Sequence, residues 1–432
     1  MKKLFHGTFR SLNSFNYRLW ISGMFVSNIG TWMQRIAQDW LVLVHLTHHN
    51  ATAVGIITAL QFAPVFLLLP FSGYAADHFD RRKFLIFTQA AMGLTALGLG
   101  ILTLSGLVRL WHVYLFGLIL GAITAIDAPA RQTFVSELVK EEDIPNAVAL
   151  NSTSFNSARL IGPAISGFLI AAFGSGGVFL LNAASFGAVI LALSFLRLDE
   201  LYQRDKPTDQ KHGLSDGFRY VRHRPDIKTI LAMLFLICTF GLNFPIFIST
   251  MAVTVFHGEA RLYGLLMSSM AIGSVTGTLF VAGQANPHIR LLFLSTILFG
   301  ISCLLGALMP DALTFGLVLV LIGLSAQIFT TASNSLVQLS TDSKVRGRVV
   351  AILLAVSVGG TPVGSLLIGR VADIWGARYA LGIGAISGFT AALIGLCYLV
   401  KYHRLHLYFK KGDIAFKMKA VGDKIKHPFH RR

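Results

Sequence analysis

Long apolar runs recur through almost the whole chain, and they limit the possible folds more than any other feature of the sequence. A helix needs about 20 apolar residues to cross the hydrocarbon core of a bilayer. The sequence predicts a series of about twelve such spans, at 18–45, 53–74, 84–106, 111–134, 146–173, 177–196, 229–256, 261–283, 289–309, 313–339, 348–370 and 376–400. The runs are apolar on all sides rather than at every second position, so we expect helices rather than strands.

The composition agrees with an all-α integral membrane protein. Of the 432 residues, 54% are hydrophobic and only 13% are charged, which is too little charge for a soluble chain of this length. Three cysteines lie within the apolar runs without paired spacing, which argues against a disulfide framework or a zinc site. The sequence also lacks the glycine-rich phosphate loop of ATP-hydrolysing proteins. We therefore expect no metal, no cofactor and no enzyme activity.

The basic residues are unevenly divided between the two sets of loops. Lys and Arg concentrate in the stretches 2–18, 81–83, 197–228, 344–348 and 401–432, whereas the alternate loops hold little beyond Arg109, Arg261, Arg370 and Arg378. The positive-inside rule predicts that the basic loops and both termini lie in the cytoplasm of a multi-pass protein of the inner (cytoplasmic) membrane. The net charge of +17 then indicates anionic lipids as partners of the basic tail, and no nucleic acid.

A charged segment divides the spans six and six. We predict an N-terminal six-helix bundle over 1–196, a cytoplasmic linker over 197–228, a C-terminal six-helix bundle over 229–400 and a basic cytoplasmic tail over 401–432. The fifth predicted span of each half carries a similar small-residue ladder with a proline, "ARLIGPAISG" in one and "SVGGTPVGSLLIG" in the other. Related halves around a central site are typical of secondary transporters.

The turn between the second and third spans, "GYAADHFDRRKFL", concentrates charge that the neighbouring spans lack. It resembles the loop signature of the major facilitator superfamily, Gly-x-x-x-Asp-x-x-Gly-Arg-Arg/Lys, through Gly73, Asp77, Arg81 and Arg82, with Asp80 in place of the second glycine. "DAPARQTFVSELV" and "RGRVVAI" resemble the efflux branch that contains the enterobactin exporter. This resemblance implies two pseudo-symmetric six-helix bundles, a monomer, and export of a small drug-like or siderophore-like substrate in exchange for protons.

Acids beside arginines at this end of the spans predict a latch that opens and closes during transport. Gly73 would allow close approach of a neighbouring helix. Asp77 could accept from Arg81 one turn away, and Asp127 and Arg131 lie one turn apart at the end of the fourth span. The resemblance implies that the loop acid, here Asp77, stabilises the outward-open state. Plain topology anchors are the alternative, but they explain the basic residues and not the acids.

Polar residues inside the spans predict the substrate or proton path, since ionisable groups are costly in a bilayer. The first span carries six at helical spacing, and we expect them to form one stripe that lines the cavity: Asn28, Thr31, Gln34, Arg35, Gln38 and Asp39. Arg35 and Asp39 can pair at i,i+4, and Asp39 is either a proton-coupling carboxylate or half of a permanent ion pair. In the fifth span we single out Asn156 and Arg159, where Arg159 attracts an anionic substrate, pairs with an acid or joins helices.

Three alternatives share much of this pattern. An uncoupled facilitator or an importer would show the same features and differ only in its dependence on the proton gradient or in its direction. A membrane-embedded enzyme would need a convergent nucleophile and base, which the scattered histidines do not supply. A non-transporting receptor or scaffold would bind its ligand without moving it, and it would not need the charged residues of the first and fourth spans.

Overall fold

The computed structural model describes residues 10–78, 80–202, 214–284, 288–342, 345–403, 406–410 and 413–417, with side chains left out at 69–78, 214–215, 402–403 and in the last two segments. The helices of the first half are α1 (Phe15–Trp40), α2 (Ala51–His78), α3 (Arg81–Leu104), α4 (Leu110–Phe134) and α5 (Ile144–Ser194). They are followed by α6 (Leu214–Arg222), α7 (Pro225–Leu236), α8 (Phe244–Thr250), α9 (Ala260–Ala282), α10 (Ile289–Leu308), α11 (Ala312–Ser340), α12 (Arg346–Gly359), α13 (Thr361–Trp375) and α14 (Ala377–His403). The predicted all-α membrane class is confirmed.

Within the described ranges, ten helical segments are long and apolar enough to cross a membrane. One of them, Glu141–Ser194, has 54 residues, more than twice the roughly 20 that a single crossing needs. Gly174 breaks it with a positive φ of 68°, a backbone conformation that glycine adopts without strain. After this break α5 returns along α3, because Arg82 at the start of α3 donates to the carbonyl of Leu193 near the end of α5. The long segment thus covers two of the predicted spans, and α1, which is not among the ten, covers the first predicted span. The number of membrane crossings stays a prediction.

The helix ends lie on two faces of the bundle, which we call the basic face and the opposite face. The basic face holds the ends of α2, α4 and α14 and the beginnings of α1, α3, α5, α7, α10 and α12. Arginines lie at several of these ends, among them Arg10, Arg81, Arg224 and Arg348. The opposite face holds the beginnings of α2, α4, α9, α11 and α14, the ends of α1, α3, α10 and α13, and the break of α5 at Gly174.

Helix packing separates an N-terminal half from a C-terminal half. In the first half α1 and α3 pack on α5, and α2 packs on α4; in the second half α9 packs on α11, and α10 packs on α11 and α14. The halves meet mainly where α2 contacts α13 and where α5 contacts α9. At these contacts Gly55 lies against the backbone of Ser365, and Gly264 lies against the backbone of Pro163, so that a Cβ on either glycine would collide with a carbonyl oxygen.

Two spans of the second half are interrupted. A π-helical turn over Ile237–Gly241 separates α7 from α8, and Gly360 separates α12 from α13. The two breaks cross each other, because a Cβ on Gly360 or on Gly364 would collide with Thr239. Discontinuous helices of this kind are common in secondary transporters, where they line the substrate path.

Short elements flank the second half. Helix α6 lies inside the predicted linker 197–228 and carries Asp216, which pairs with Arg348 of α12 at 3.6 Å. The first helix of the second half begins at Pro225, also inside the predicted linker. In the predicted tail, strands β1 (His406–Lys410) and β2 (Asp413–Lys417) pair in antiparallel register, with His406 opposite Lys417.

Candidate functional site

The polar stripe of the first span divides into two faces of α1. Gln34 accepts from the amide of Asn182 on α5 at 2.5 Å, and Gln38 accepts from the amide of Gln61 on α2 at 3.2 Å. Both glutamines are buried inside the N-terminal half. The polar groups of Gln34 and Gln38 thus hold helices of one half together, and their predicted place in the substrate or proton path stays a prediction.

The second face of α1 carries Asp39 to the boundary between the halves. The hydroxyl of Tyr263, on α9 of the C-terminal half, donates to Oδ2 of Asp39 at 2.9 Å. Both side chains are buried. Sequence reasoning missed Tyr263, since nothing in an apolar span 224 residues away along the chain marks it as a partner.

The predicted pair of Arg35 with Asp39 is not formed in this structure. The guanidinium of Arg35 lies over the ring of Trp32 at 4.9 Å and over the ring of Phe62 at 5.8 Å. Arg159 of α5 lies over the same Trp32 ring at 5.7 Å. Among the residues whose side chains are described, neither guanidinium has a carboxylate within ion-pair distance or a hydrogen-bond acceptor. We call Trp32, Arg35 and Arg159 the arginine pocket.

The remaining predicted path residues lie on the same two helices as the arginine pocket, α1 and α5. Asn28 and Thr31 are half-buried one to two turns before Arg35, on the same side of α1 by helical spacing. Asn156 donates one amide N–H to the carbonyl of Ser152 in its own helix at 2.8 Å. The ring beside it, Phe155, packs edge-on against Trp32 at 5.8 Å.

The charged turn joins helix ends of the N-terminal half. Arg81 forms an ion pair with Glu137, beyond the end of α4, and the predicted pair of Arg81 with Asp77 lies outside the described side chains. Arg82 donates through Nε to the carbonyl of Leu193 at 2.6 Å. Asp80, which replaces the glycine of the motif, caps α3 by accepting from the amide of Lys83 at 2.9 Å. Gly73 and Asp77 lie within α2, but the surroundings of Gly73 and the side chain of Asp77 are outside the described part of the chain.

Asp127 is fully buried and has several donors. It forms an ion pair with Arg131 one turn later, at 2.5 Å, as the spacing predicts. Its other oxygen accepts from the hydroxyl of Thr88 at 2.6 Å and from the amide of Gln89 at 3.1 Å, both on α3. All four residues belong to the N-terminal half, so this pair braces one half in the present state.

Polar contacts cross between the halves toward the opposite face. Asp373, near the end of α13, accepts from the backbone amides of Ala51 at 2.6 Å and Thr52 at 2.8 Å, and it also accepts from the Thr52 hydroxyl. It thus caps the first turn of α2 from the other half of the protein. Ser268 of α9 donates to the carbonyl of Leu160 on α5 at 3.0 Å. Together with the bond between Asp39 and Tyr263, these contacts join the two halves toward the opposite face.

Comparison with known proteins places this arrangement among transporters. The family model described as transmembrane secretion effector matches residues 7–409. The staphyloferrin A transporter of Staphylococcus aureus is 28% identical over 87% of this chain and 94% of its own length. The enterobactin exporter EntS of Citrobacter koseri is 26% identical over 82% of this chain and 84% of its own length.

Solved structures show the same fold at low sequence identity. A D-xylose–proton symporter aligns with a TM-score of 0.69 and 12% identity, over 88% of this chain and 96% of its own. A bacterial homologue of the lysosomal transporter Spinster, in an inward-facing and occupied conformation, aligns with a TM-score of 0.68 and 15% identity, over 89% of this chain and 96% of its own.

Proposed function

The chain belongs to the transmembrane secretion effector family of major facilitator transporters, and from this premise we propose that it exports a small drug-like or siderophore-like molecule by alternating access, in exchange for protons. The named relatives are transporters and not enzymes, and two of them are named for a siderophore. The chain is a multi-pass membrane protein, and its described ranges contain ten helical segments that are long and apolar enough to cross a membrane.

The hydrogen bond between Asp39 and Tyr263 is the observation that carries this proposal. It links a carboxylate of one half to a hydroxyl of the other at 2.9 Å, in a buried position. Opening of the opposite face separates the halves, so Asp39 loses its donor. A carboxylate inside a membrane protein needs a partner for its charge, and the available ones are a proton from outside or Arg35 one turn away. Exchange of these partners would couple proton entry to the change of face.

We further propose that the basic face lies in the cytoplasm of the inner membrane, because Lys and Arg are retained on that side during insertion. The substrate would then enter from the basic face in the present state and leave after the opposite face opens. A reporter enzyme that is active only outside the cytoplasm, fused after the last helix, should be inactive. Activity of that fusion would show that the basic face lies outside the cytoplasm, and the proposed direction of transport would then be reversed.

Transport in proteoliposomes with an imposed pH gradient tests the coupling. Staphyloferrin A, enterobactin and a panel of lipophilic drugs serve as probes, and a dye trapped inside the vesicles reports proton movement. We expect substrate-dependent proton flux in the wild type and its loss in Asp39→Asn, since the amide cannot carry a proton between the two sides. Asp127→Asn is the matched control, because Asp127 is also a buried carboxylate in the same half but is braced by Arg131 and α3.

The outcomes separate the competing functions. Equal loss of coupling in both variants, or loss in Asp127→Asn alone, would move the proton path to Asp127. Substrate movement without proton flux in the wild type would make the protein an uncoupled facilitator. Binding of a probe without any movement would indicate a receptor and contradict the transport proposal.

A further inference from the structure

Two arginines share one tryptophan at the inner surface of the N-terminal half. The guanidinium groups of Arg35 and Arg159 lie 4.9 Å and 5.7 Å from the centre of the Trp32 ring. Both residues are half-buried, which leaves part of each side chain accessible. Two positive charges are thus held side by side within the membrane-spanning part of the protein.

A purely structural role explains this arrangement poorly. Charged side chains within membrane helices ordinarily pair with an acid or a backbone carbonyl. In the described part of the chain, neither Arg35 nor Arg159 has such a group within ion-pair or hydrogen-bond distance. The carboxylate that could serve, Asp39, is bonded to Tyr263 instead. Stacking on an aromatic ring stabilises a guanidinium only modestly, and adjacent like charges repel each other.

The walls of the pocket are aromatic, and the pocket lies where the halves meet. Phe62 lies 5.8 Å from the guanidinium of Arg35, and Phe155 packs edge-on against Trp32. The residue after Arg159, Leu160, accepts from Ser268 of the C-terminal half, so this turn of α5 faces the boundary between the halves. A site with a few convergent polar groups in aromatic walls at a domain boundary is typical of small-molecule binding.

We propose that Arg35, Arg159 and Trp32 form a subsite for a multiply charged anion, namely a molecule that carries at least two carboxylate or other oxyanion groups beside a flat apolar body. Each guanidinium binds one oxyanion through charge-assisted hydrogen bonds, while the body packs against Trp32 and its aromatic neighbours. This names the substrate class of the proposed transporter and so rests on the transport proposal, but the binding step is measured separately from movement.

Titration calorimetry of the purified full chain in detergent tests the subsite with three ligands of the same shape. Isophthalate carries two carboxylates on a benzene ring, benzoate carries one, and isophthalamide is neutral. We expect isophthalate to bind most tightly and isophthalamide least. Arg35→Gln and Arg159→Gln should each weaken isophthalate by about tenfold or more, down to the affinity of benzoate, and leave isophthalamide unchanged. The lysine variants should retain part of the affinity, because the charge remains.

Arg261 offers a matched control. Its guanidinium also lies over an aromatic ring, that of Phe168 at 4.7 Å, but near the beginning of α9 at the opposite face. Arg261→Gln should leave the affinity for isophthalate unchanged. Thermal unfolding of all variants verifies that each remains folded.

Several results would overturn the subsite. Failure of the wild type to bind isophthalate would contradict the subsite. Equal affinity for isophthalate and isophthalamide would show that the arginine charges do not contribute to binding. An equal loss in Arg261→Gln would show that general surface charge, not the pocket, attracts the anion. Unaffected binding of isophthalate by Arg35→Gln and Arg159→Gln would reject this subsite alone, and proton-coupled transport by the wild type would then leave the transport proposal standing.

Discussion

At the opposite face the two halves touch directly, through close backbone approach at Gly55 and Gly264 and through the carboxylate of Asp373. At the basic face the described ion pairs each join residues on one side of the division, as Arg81 does with Glu137. The difference indicates which contacts hold a half together and which must break in transport. Under the proposed alternating access, contacts within a half can persist through the whole cycle, whereas contacts that join the halves at one face break when that face opens.

This comparison changes the interpretation of the charged turn. Arg81 and Arg82 bind the ends of α4 and α5, so the basic part of the motif fastens the basic face of the N-terminal half. The predicted latch role of Asp77 stays a prediction. Two carboxylates that accept hydrogen bonds across the halves, Asp39 and Asp373, lie outside the motif.

The largest effect is expected from Gly264→Val, which should prevent closure of the opposite face. The new side chain would collide with the carbonyl of Pro163, and overpacking of about 1–3 kcal/mol shifts a two-state equilibrium by about five- to 150-fold. Spin labels at the exposed positions Leu107 and Leu313, one on each half, should move apart. Gly187→Val is the control, because that glycine has open space around it. If Gly264→Val gave the same label distance as the wild type, the contact between Gly264 and Pro163 would not be needed to close the opposite face.

The second effect is expected from Tyr263→Phe, which removes the donor to Asp39. A hydrogen bond to a charged group contributes about 1.5–3 kcal/mol, and here that contribution exists only when the halves are together. The label distance should therefore shift toward the open opposite face. Tyr17→Phe provides the contrast, since the Tyr17 hydroxyl donates at 2.8 Å to Ala147 within one half. It should lower thermal stability without changing the distance, and a shift of similar size in both variants would argue against a gating bond.

A smaller shift is expected from Asp373→Ala. Loss of a helix cap costs about 1 kcal/mol, and this cap crosses the halves, so the opposite face should open several-fold more often. Asp311→Ala is matched to it, because Asp311 caps α11 at the same face but within its own helix, by accepting from the amides of Leu313 and Thr314. If Asp311→Ala opened the face as much as Asp373→Ala, capping across the halves would have no special role.

At the basic face, Glu137→Gln should leave the label distance unchanged. The pair of Glu137 with Arg81 is partly exposed, at 19% and 15%, so its loss should cost about 1 kcal/mol or less. The expected result is a lower midpoint of thermal unfolding with full opening and closing. A change in distance as large as that of Asp373→Ala would make this pair a gate and remove the contrast between the faces.

The smallest effect concerns pH. Hydrogen bonds from the amide and the hydroxyl of Thr314 lower the pKa of Asp311. Because the pKa is lower in the folded state, the stability it contributes is present above the ordinary carboxyl value of about 3.9 and is lost as the pH falls through the folded value. The difference in unfolding midpoint between the wild type and Asp311→Ala should therefore shrink when the pH is lowered from 7 to 3. If the difference in unfolding midpoint stayed constant with pH, the charge of Asp311 would not contribute to the stability of the cap.

Part of the site follows from the sequence. The pair of Asp127 with Arg131 was predicted from its i,i+4 spacing and is formed. The division of the first span's polar stripe into two faces could also have been predicted from the sequence. A period of 3.6 residues sets position 34 about 100° away from position 35. The Arg35 and Asp39 pair was allowed by the same spacing but is absent. Arg35 lies over Trp32 of its own helix and Phe62 of α2, and Tyr263 of α9 donates to Asp39.

The sequence alone determined the membrane class, the approximate limits of the helices and the uneven distribution of basic residues, because hydropathy, span length and loop charge are local properties. Only the tertiary structure decided that Tyr263 meets Asp39, that Asp373 caps α2, and that two arginines share Trp32. Helical periodicity fixes which residues share a face of one helix. It does not fix which helix that face will meet, because packing between segments hundreds of residues apart makes that choice.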